Sequence, residues 1–223
     1  MVKAVSFFKR RAGMAVDDFQ AYWRGKHPDA VLRLPGIRRY VQSHTRPAAY
    51  AKGEPVYDGI AELWFDDTRA MHALRGTPAM AALEADEAVF IDRATMRLLL
   101  TEEHVIKDGA APAGGAKNVE FVTRRPGMAV DDFQRYWRQV HGPLAATIPV
   151  IRRYVQSHAR ASAYERGRKP PYDGLAITWF DDTAAMRASA ATPEYARTRA
   201  EEPNFIAPAD APFIITTEHV IVP

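Results

Sequence analysis

The chain is one module written twice, and no other feature constrains its fold as tightly. Gly13-Met-Ala-Val-Asp-Asp-Phe-Gln20 recurs at 127–134, Arg38-Arg-Tyr-Val-Gln-Ser-His44 at 152–158, and Trp64-Phe-Asp-Asp-Thr68 at 179–183. The first two pairs share one spacing. The third is longer by one residue, which places a single insertion near Lys169. A repeat of domain size is read before any local pattern, because each copy then predicts the other. The copies run over 1–107 and 117–223. Residues 108–116 between them are rich in Gly, Ala and Pro, a composition that predicts a flexible linker.

Each copy carries the same order of signals. Residues 2–9 predict a strand rich in Val and Phe. Residues 16–34 predict a helix with Asp17 and Asp18 in its first turn, bent or broken at His27-Pro28. Residues 37–45 alternate, with Tyr40, Gln42 and His44 on one face and Val41 and Ser43 on the other. A strand follows at 57–65. Asp66-Asp67-Thr68 then caps a helix, Thr77-Pro78 opens another, and 94–106 supplies a last strand. The order βαββαβ is that of a ferredoxin-like α+β unit. One face of such a four-stranded sheet takes the helices and the other needs cover. The second copy can provide it within the chain, so the expectation is two antiparallel sheets face to face, a pseudo-dimeric α+β barrel that leaves further homodimerisation open.

Apolar residues make up 47% of the chain, enough for a full core. The absence of cysteine excludes disulfides, thiolate metal sites, iron–sulfur clusters and a cysteine nucleophile. No apolar run reaches bilayer length, and the N-terminal apolar stretch is too short for a secretory signal. A cytoplasmic protein without a membrane partner is expected. Thirty basic residues against 27 acidic ones leave a net charge of only +3, too mixed for a nucleic-acid surface.

Phe19-Gln-Ala-Tyr-Trp23-Arg-Gly-Lys-His27-Pro28, then Pro35-Gly36-Ile37-Arg38-Arg39-Tyr40 and Tyr57-Asp58-Gly59, resemble the EthD family of the dimeric α+β barrel superfamily. The second copy is similar at Phe133, Tyr136, Trp137, His141, Arg152, Arg153, Tyr154, Tyr172, Asp173 and Gly174. The resemblance spans nearly the whole chain outside the linker. That family is named for a role in degrading ethyl tert-butyl ether. Similar proteins act in aromatic and polyketide pathways as isomerases, dehydratases or decarboxylases, so the resemblance implies the fold more sharply than the reaction.

Six of the seven histidines fall into matched pairs, His27/His141, His44/His158 and His104/His219, while His72 faces Arg187. The tryptophans pair as Trp23/Trp137 and Trp64/Trp179. Phe19, Trp23 and His27 share one helix face. His27 and His141 are therefore candidates for a general acid/base at a pocket, or else buried imidazoles bonded to backbone. His44 and His158, with Gln42/Gln156 and Tyr40/Tyr154, either line that pocket or form a hydrogen-bonded ladder. Asp58/Asp173 and Glu62 are the carboxylates that would orient a histidine, and Glu62 faces Ile177 in the other copy. If Glu62 stood beside His27 it would raise that pKa. Trp23, Trp137, Trp64 and Trp179 would wall the pocket. Glu103-His104 and Glu218-His219 read as closing contacts of the last strands, and Tyr50 and Tyr164 as pocket covers or surface loop residues.

No metal-ligand spacing, phosphate loop or nucleophile elbow is present, so no cofactor is expected. Other branches of the superfamily bind haem, but nothing in this sequence selects an axial histidine. The function expected is cofactor-independent acid–base chemistry, an isomerisation, dehydration or decarboxylation, on a small hydrophobic oxygenated substrate. The alternatives are a non-catalytic binding accessory protein of a degradation pathway and an oxygen-using, monooxygenase-like oxidoreductase. Because Glu62 is confined to the first copy, that copy is expected to hold the competent site and the second to be degenerate.

Overall fold

The computed structural model describes residues 1–207 and 211–223. It divides into two compact units, Met1–Leu100 with Glu218–Pro223, and Thr101–Thr217. The first contains β1 (Val2–Arg10), α1 (Val16–Gly25), α2 (His27–Val31), β2 (Ile37–Thr45), β3 (Gly59–Phe65), α3 (Thr68–His72), α4 (Pro78–Phe90) and the start of β4 (Ile91–Lys107). The second contains the end of β4, then β5 (Ala116–Val122), α5 (Val130–Tyr136), α6 (Gly142–Ala146), β6 (Arg153–Ala159), β7 (Gly174–Phe180), α7 (Thr183–Ser189), α8 (Pro193–Glu201) and the start of β8 (Phe213–Val222). The hydrogen-bonded order is β4-β1-β3-β2-β8 in the first unit and β8-β5-β7-β6-β4 in the second. The fold class is α+β, and the strand pairings within each unit are antiparallel.

Local chemistry sets the element ends. Asp67 and Thr77 accept the backbone N–H of Ala70 and Met80 at 2.8 and 3.2 Å, and Asp182 and Thr192 do the same for α7 and α8. Pro78 and Pro193 sit in the first turn, where a missing N–H costs nothing. Within the expected linker, 108–116, two residues lie against the start of β6. Arg153 Nη1 donates to Asp108 at 2.6 Å, and a Cβ on Gly109 would fall 2.1 Å from the Arg152 carbonyl oxygen.

In the first unit the helices cover one sheet face. Val2, Ala4, Phe8, Tyr40, Ala61 and Phe65 from the strands pack with Phe19, Trp23, Leu83 and Phe90 from the helices and with Leu74 in the turn after α3. Strand alternation then sends Lys3, Glu62 and Trp64 to the other face. This overturns the expectation that Glu62 stands with His27. Glu62 is buried in an ion pair with Lys3, at 2.6 Å, and accepts from Ser43 at 3.4 Å.

Candidate active site

The two copies differ in how the chain reaches the site histidine. In the first, Pro28 has no N–H to continue the ladder, so α1 stops and α2 restarts at His27. In the second, Gly142-Pro143 moves the proline one residue on. The winding continues as a five-residue π-helical turn, Trp137–His141. Such turns are frequent at functional sites.

Both histidines are buried, and each meets an acid that sequence reasoning missed. His27 Nδ1 lies 2.6 Å from Asp86, and His141 Nδ1 lies 2.7 Å from Glu201. Phe90 and Phe205 pack against the rings at 4.9 and 4.7 Å. Burial lowers both histidine pKa values and outweighs the opposing pull of the carboxylate. Each ring is thus neutral near pH 7, with Nδ1–H donating to the acid. Nε2 remains as the nitrogen that carries a lone pair. The signal in the sequence was an acid at equivalent positions of both copies, Asp86 and Glu201.

The Tyr-Gln-His face is a hydrogen-bonded ladder. Gln42 Nε2 donates to the Trp23 carbonyl at 2.8 Å and to Tyr40 Oη at 2.9 Å, and its Oε1 meets His44 Nε2 at 3.0 Å. Gln156 repeats this with Trp137, Tyr154 and His158 at 2.9, 3.0 and 3.0 Å. Trp23 Nε1 donates to Tyr40 Oη at 3.3 Å, and Trp137 Nε1 to Tyr154 Oη at 3.2 Å. The indoles stack on the imidazoles, Trp23 on His44 at 4.1 Å and Trp137 on His158 at 4.5 Å. Burial, the neighbouring histidine and an arginine push His44 and His158 down to about 3. Both are neutral Nε2–H tautomers, and Nδ1 of His158 is buried without a hydrogen-bond partner among the described residues.

Gly59 and Gly174 make these stacks possible. A Cβ at Gly59 would sit 2.2 Å from the Trp23 ring, and one at Gly174 would sit 2.6 Å from both Trp137 and the Ser157 carbonyl. Gly174→Ala should cost about 3 kcal/mol by overpacking, measured as a shift in the denaturant midpoint. A shift below about 0.5 kcal/mol would show that the stack can slide.

The remaining candidates lie elsewhere. Asp58 accepts from the Arg10 backbone and side chain and from Tyr50 Oη at 2.6 Å. Asp173 is held likewise by Arg124 and by Tyr164 Oη at 2.7 Å. These aspartates tie a loop to a strand end and do not orient His27 or His141, and the two tyrosines serve them. Trp64 and Trp179 lie beneath the Lys3 and Lys117 ammonium groups, with Nζ 4.8 and 5.0 Å from the ring centroids. They are on the sheet face away from the helices and wall no pocket with Trp23 or Trp137.

A cavity of about 290 Å³ opens in the second unit, between helices and sheet. His141, Tyr154, Glu120, Arg199 and Glu202 line it together with Ile148, Ile151, Phe180, Met186 and Phe213. Its existence follows from four substitutions between the copies. Where the first unit buries Val31, Leu74, Leu83 and partly Leu63 in one apolar cluster, the second has Ala145, Ser189, Thr198 and Thr178. Ser189 and Thr198 turn their hydroxyls back to helix carbonyls, at 2.6 and 2.8 Å, so their burial leaves no hydroxyl unsatisfied. The two units therefore differ in packing at these positions. The first unit is filled at these positions, and the second is hollow.

Three charges that the sequence reading did not single out line the cavity of the second unit, and two of them, Glu120 and Arg199, have no like-charged equivalent in the first. Arg199 Nη1 lies 2.9 Å from Glu202 and 3.5 Å from Glu120. The equivalents of Glu120 and Arg199 are Ser6 and Glu84. Burial and the nearby Glu120 raise Glu202 to about 7, and burial raises Glu120. Among the described residues no group of three or more His, Cys, Asp or Glu side chains could hold a metal ion, and no helix is long and apolar enough to cross a membrane.

The family model of the EthD domain matches residues 11–94 and 125–209. No curated protein matches the chain. Among solved structures, an anthrone oxidase-like protein superposes with a TM-score of 0.65 at 10% identity, over 98% of this chain and 92% of that one. A candidate monooxygenase from Lactobacillus acidophilus NCFM gives 0.60 at 11% identity, covering 99% and 95%. A candidate chlorite dismutase gives 0.58 at 12%, covering 98% and 94%. At these identities the likeness is one of fold.

Proposed function

The chain belongs to the EthD family, with one EthD domain in each half, and on that premise we propose that it is a small-molecule enzyme working in the cavity of its second unit. The two domains are read as tandem βαββαβ repeats, 1–107 and 117–223. The observation that carries the reading is the His141–Glu201 pair at the edge of a largely apolar cavity. Glu201 holds Nδ1–H and so fixes the tautomer that leaves Nε2 as a base. A neutral imidazole held against a carboxylate takes a proton without first having to lose one. Isomerisation, dehydration and decarboxylation of an oxygenated hydrophobic compound share such a step. Trp137, Gln156 and His158 hold Tyr154 in place as the cavity wall. In the first unit Trp23, Tyr40, Gln42, His44 and His27 keep the same bonds around a filled core.

A second reading is supported by two of the fold neighbours, the candidate monooxygenase and the anthrone oxidase-like protein. The same base would leave an electron-rich anion able to reduce dioxygen. Oxygen consumption during turnover separates the two readings, and binding without turnover would favour an accessory protein.

Filling the cavity tests the site. Ser189→Leu with Thr198→Leu reproduces the packing of Leu74 and Leu83. Each leucine buries apolar surface worth about 2 kcal/mol, so the double variant should fold with unchanged or raised stability. It should lose all turnover on any aromatic, lactone or polyketide-like substrate that the parent converts. Turnover that survives in a folded double variant places the chemistry elsewhere.

A further inference from the structure

Tyr154 lines the cavity, and in both hydrogen bonds that its hydroxyl makes among the described residues it is the acceptor. Its oxygen already accepts from Trp137 Nε1 at 3.2 Å and from Gln156 Nε2 at 3.0 Å. The Gln156 orientation is fixed independently, because Nε2 also donates to the Trp137 carbonyl at 2.9 Å and Oε1 faces the His158 donor at 3.0 Å. A flipped amide would set oxygen against oxygen. With two bonds accepted, the phenol can offer only its own hydrogen. Among the described residues it donates no hydrogen bond. Burial raises the Tyr154 pKa, so the group stays a donor and is no base. A buried donor left unmet costs free energy that a ligand acceptor would return.

The opposite signal comes from the charged cluster. Arg199, the cavity's only cation among the described lining residues, is already engaged by Glu202 and Glu120. Two carboxylates against one guanidinium leave the wall negative once both acids are ionised.

We propose that this cavity takes an uncharged, largely apolar carbonyl compound, with the carbonyl oxygen on the Tyr154 hydroxyl, and that Glu120, Arg199 and Glu202 reject carboxylates. The inference rests on the reading of this cavity as the working site and names its substrate class. Should His141 remove a proton next to that carbonyl, Tyr154 is placed to hold the oxygen on which charge then builds.

The test uses the full chain and three probes on one scaffold: 2-acetylnaphthalene, 2-ethylnaphthalene and 2-naphthoate. Affinities are measured by calorimetry at about pH 8, above the range in which Glu202 takes up a proton. The ketone should bind about tenfold more tightly than the hydrocarbon, the size of one neutral hydrogen bond. The naphthoate should bind at least about tenfold more weakly than the ketone. Tyr154→Phe should bring the ketone to the hydrocarbon's affinity and leave the hydrocarbon unchanged. Glu120→Gln with Glu202→Gln should strengthen naphthoate binding by about tenfold. Failure of the ketone to bind, or equal affinities for ketone and hydrocarbon in the parent, overturns the proposal even if Tyr154→Phe does not fold. Naphthoate binding as tight as the ketone overturns the charge filter. The expected affinities without turnover of any substrate would sink the enzyme reading and leave this inference standing.

Discussion

His141→Ala is expected to lower turnover by about two to four orders of magnitude, and His27→Ala to leave it within a few-fold. The two substitutions remove the same ring from the same kind of partner, Glu201 in one case and Asp86 in the other. Their structural costs should therefore match, and only the cavity distinguishes them. His141 lines open volume, whereas Leu74, Leu83 and Val31 fill the matching positions near His27. Burial lowers the His141 pKa, so the base form persists into mild acid. The rate should hold from neutral pH to below the ordinary histidine range and then fall as the ring protonates. Initial rates of both variants across pH, with denaturation curves as a folding control, decide the matter. Equal losses in the two variants would return the first unit to consideration.

Acid is expected to unfold the protein steeply below about pH 4.5, and histidine drives the fall. His44 and His158 are held neutral down to about 3 in the folded state, against an ordinary value of 6.5. The unfolded chain binds more protons between those values, so the stability they contribute is complete above pH 6.5 and is lost as pH falls toward 3. Glu87 and Glu202 act in the opposite sense. Burial raises each to about 7 from 4.5, so the folded state binds more protons in that window and stability declines as pH rises through it. Between pH 6.5 and 4.5 the two pairs roughly cancel. Below 4.5 Glu87 and Glu202 are protonated in both states and no longer offset the histidines, while the exposed Glu54, held at about 2 by Arg10 and Lys9, adds a smaller loss of the same sign. Two protons give a slope of about 3 kcal/mol per pH unit, or about 4 kcal/mol by pH 3. That is a large share of the stability of an ordinary domain. His44→Gln with His158→Gln keeps a donor for the ladder and removes the titration. The acid limb of the denaturant midpoint against pH should flatten in this variant, and an unchanged limb would assign acid unfolding to other groups.

The recurring segments by themselves determined that there are two copies of one α+β unit, because the same signals for strand, capped helix and strand follow in the same order twice. Strand β2 matches the alternating run at 37–45, and the caps at Asp67 and Thr77 stand where acid and hydroxyl precede the helices. Alternation also put Tyr40, Gln42 and His44 on one face, and the ladder uses all three. Alternation could not say which face the helices cover, and that choice moved Glu62 and Trp64 away from His27. The partner of His27 lay on α4, 59 residues away, and that of His141 on α8, 60 residues away; only the packing of helix on helix brought them within 2.6 and 2.7 Å. The hollow second unit was equally hidden. Ala145, Thr178, Ser189 and Thr198 come from α6, β7, α7 and α8, and each alone reads as an ordinary small residue. A cavity arises from missing volume at one point in space, and sequence order does not record which positions share that point.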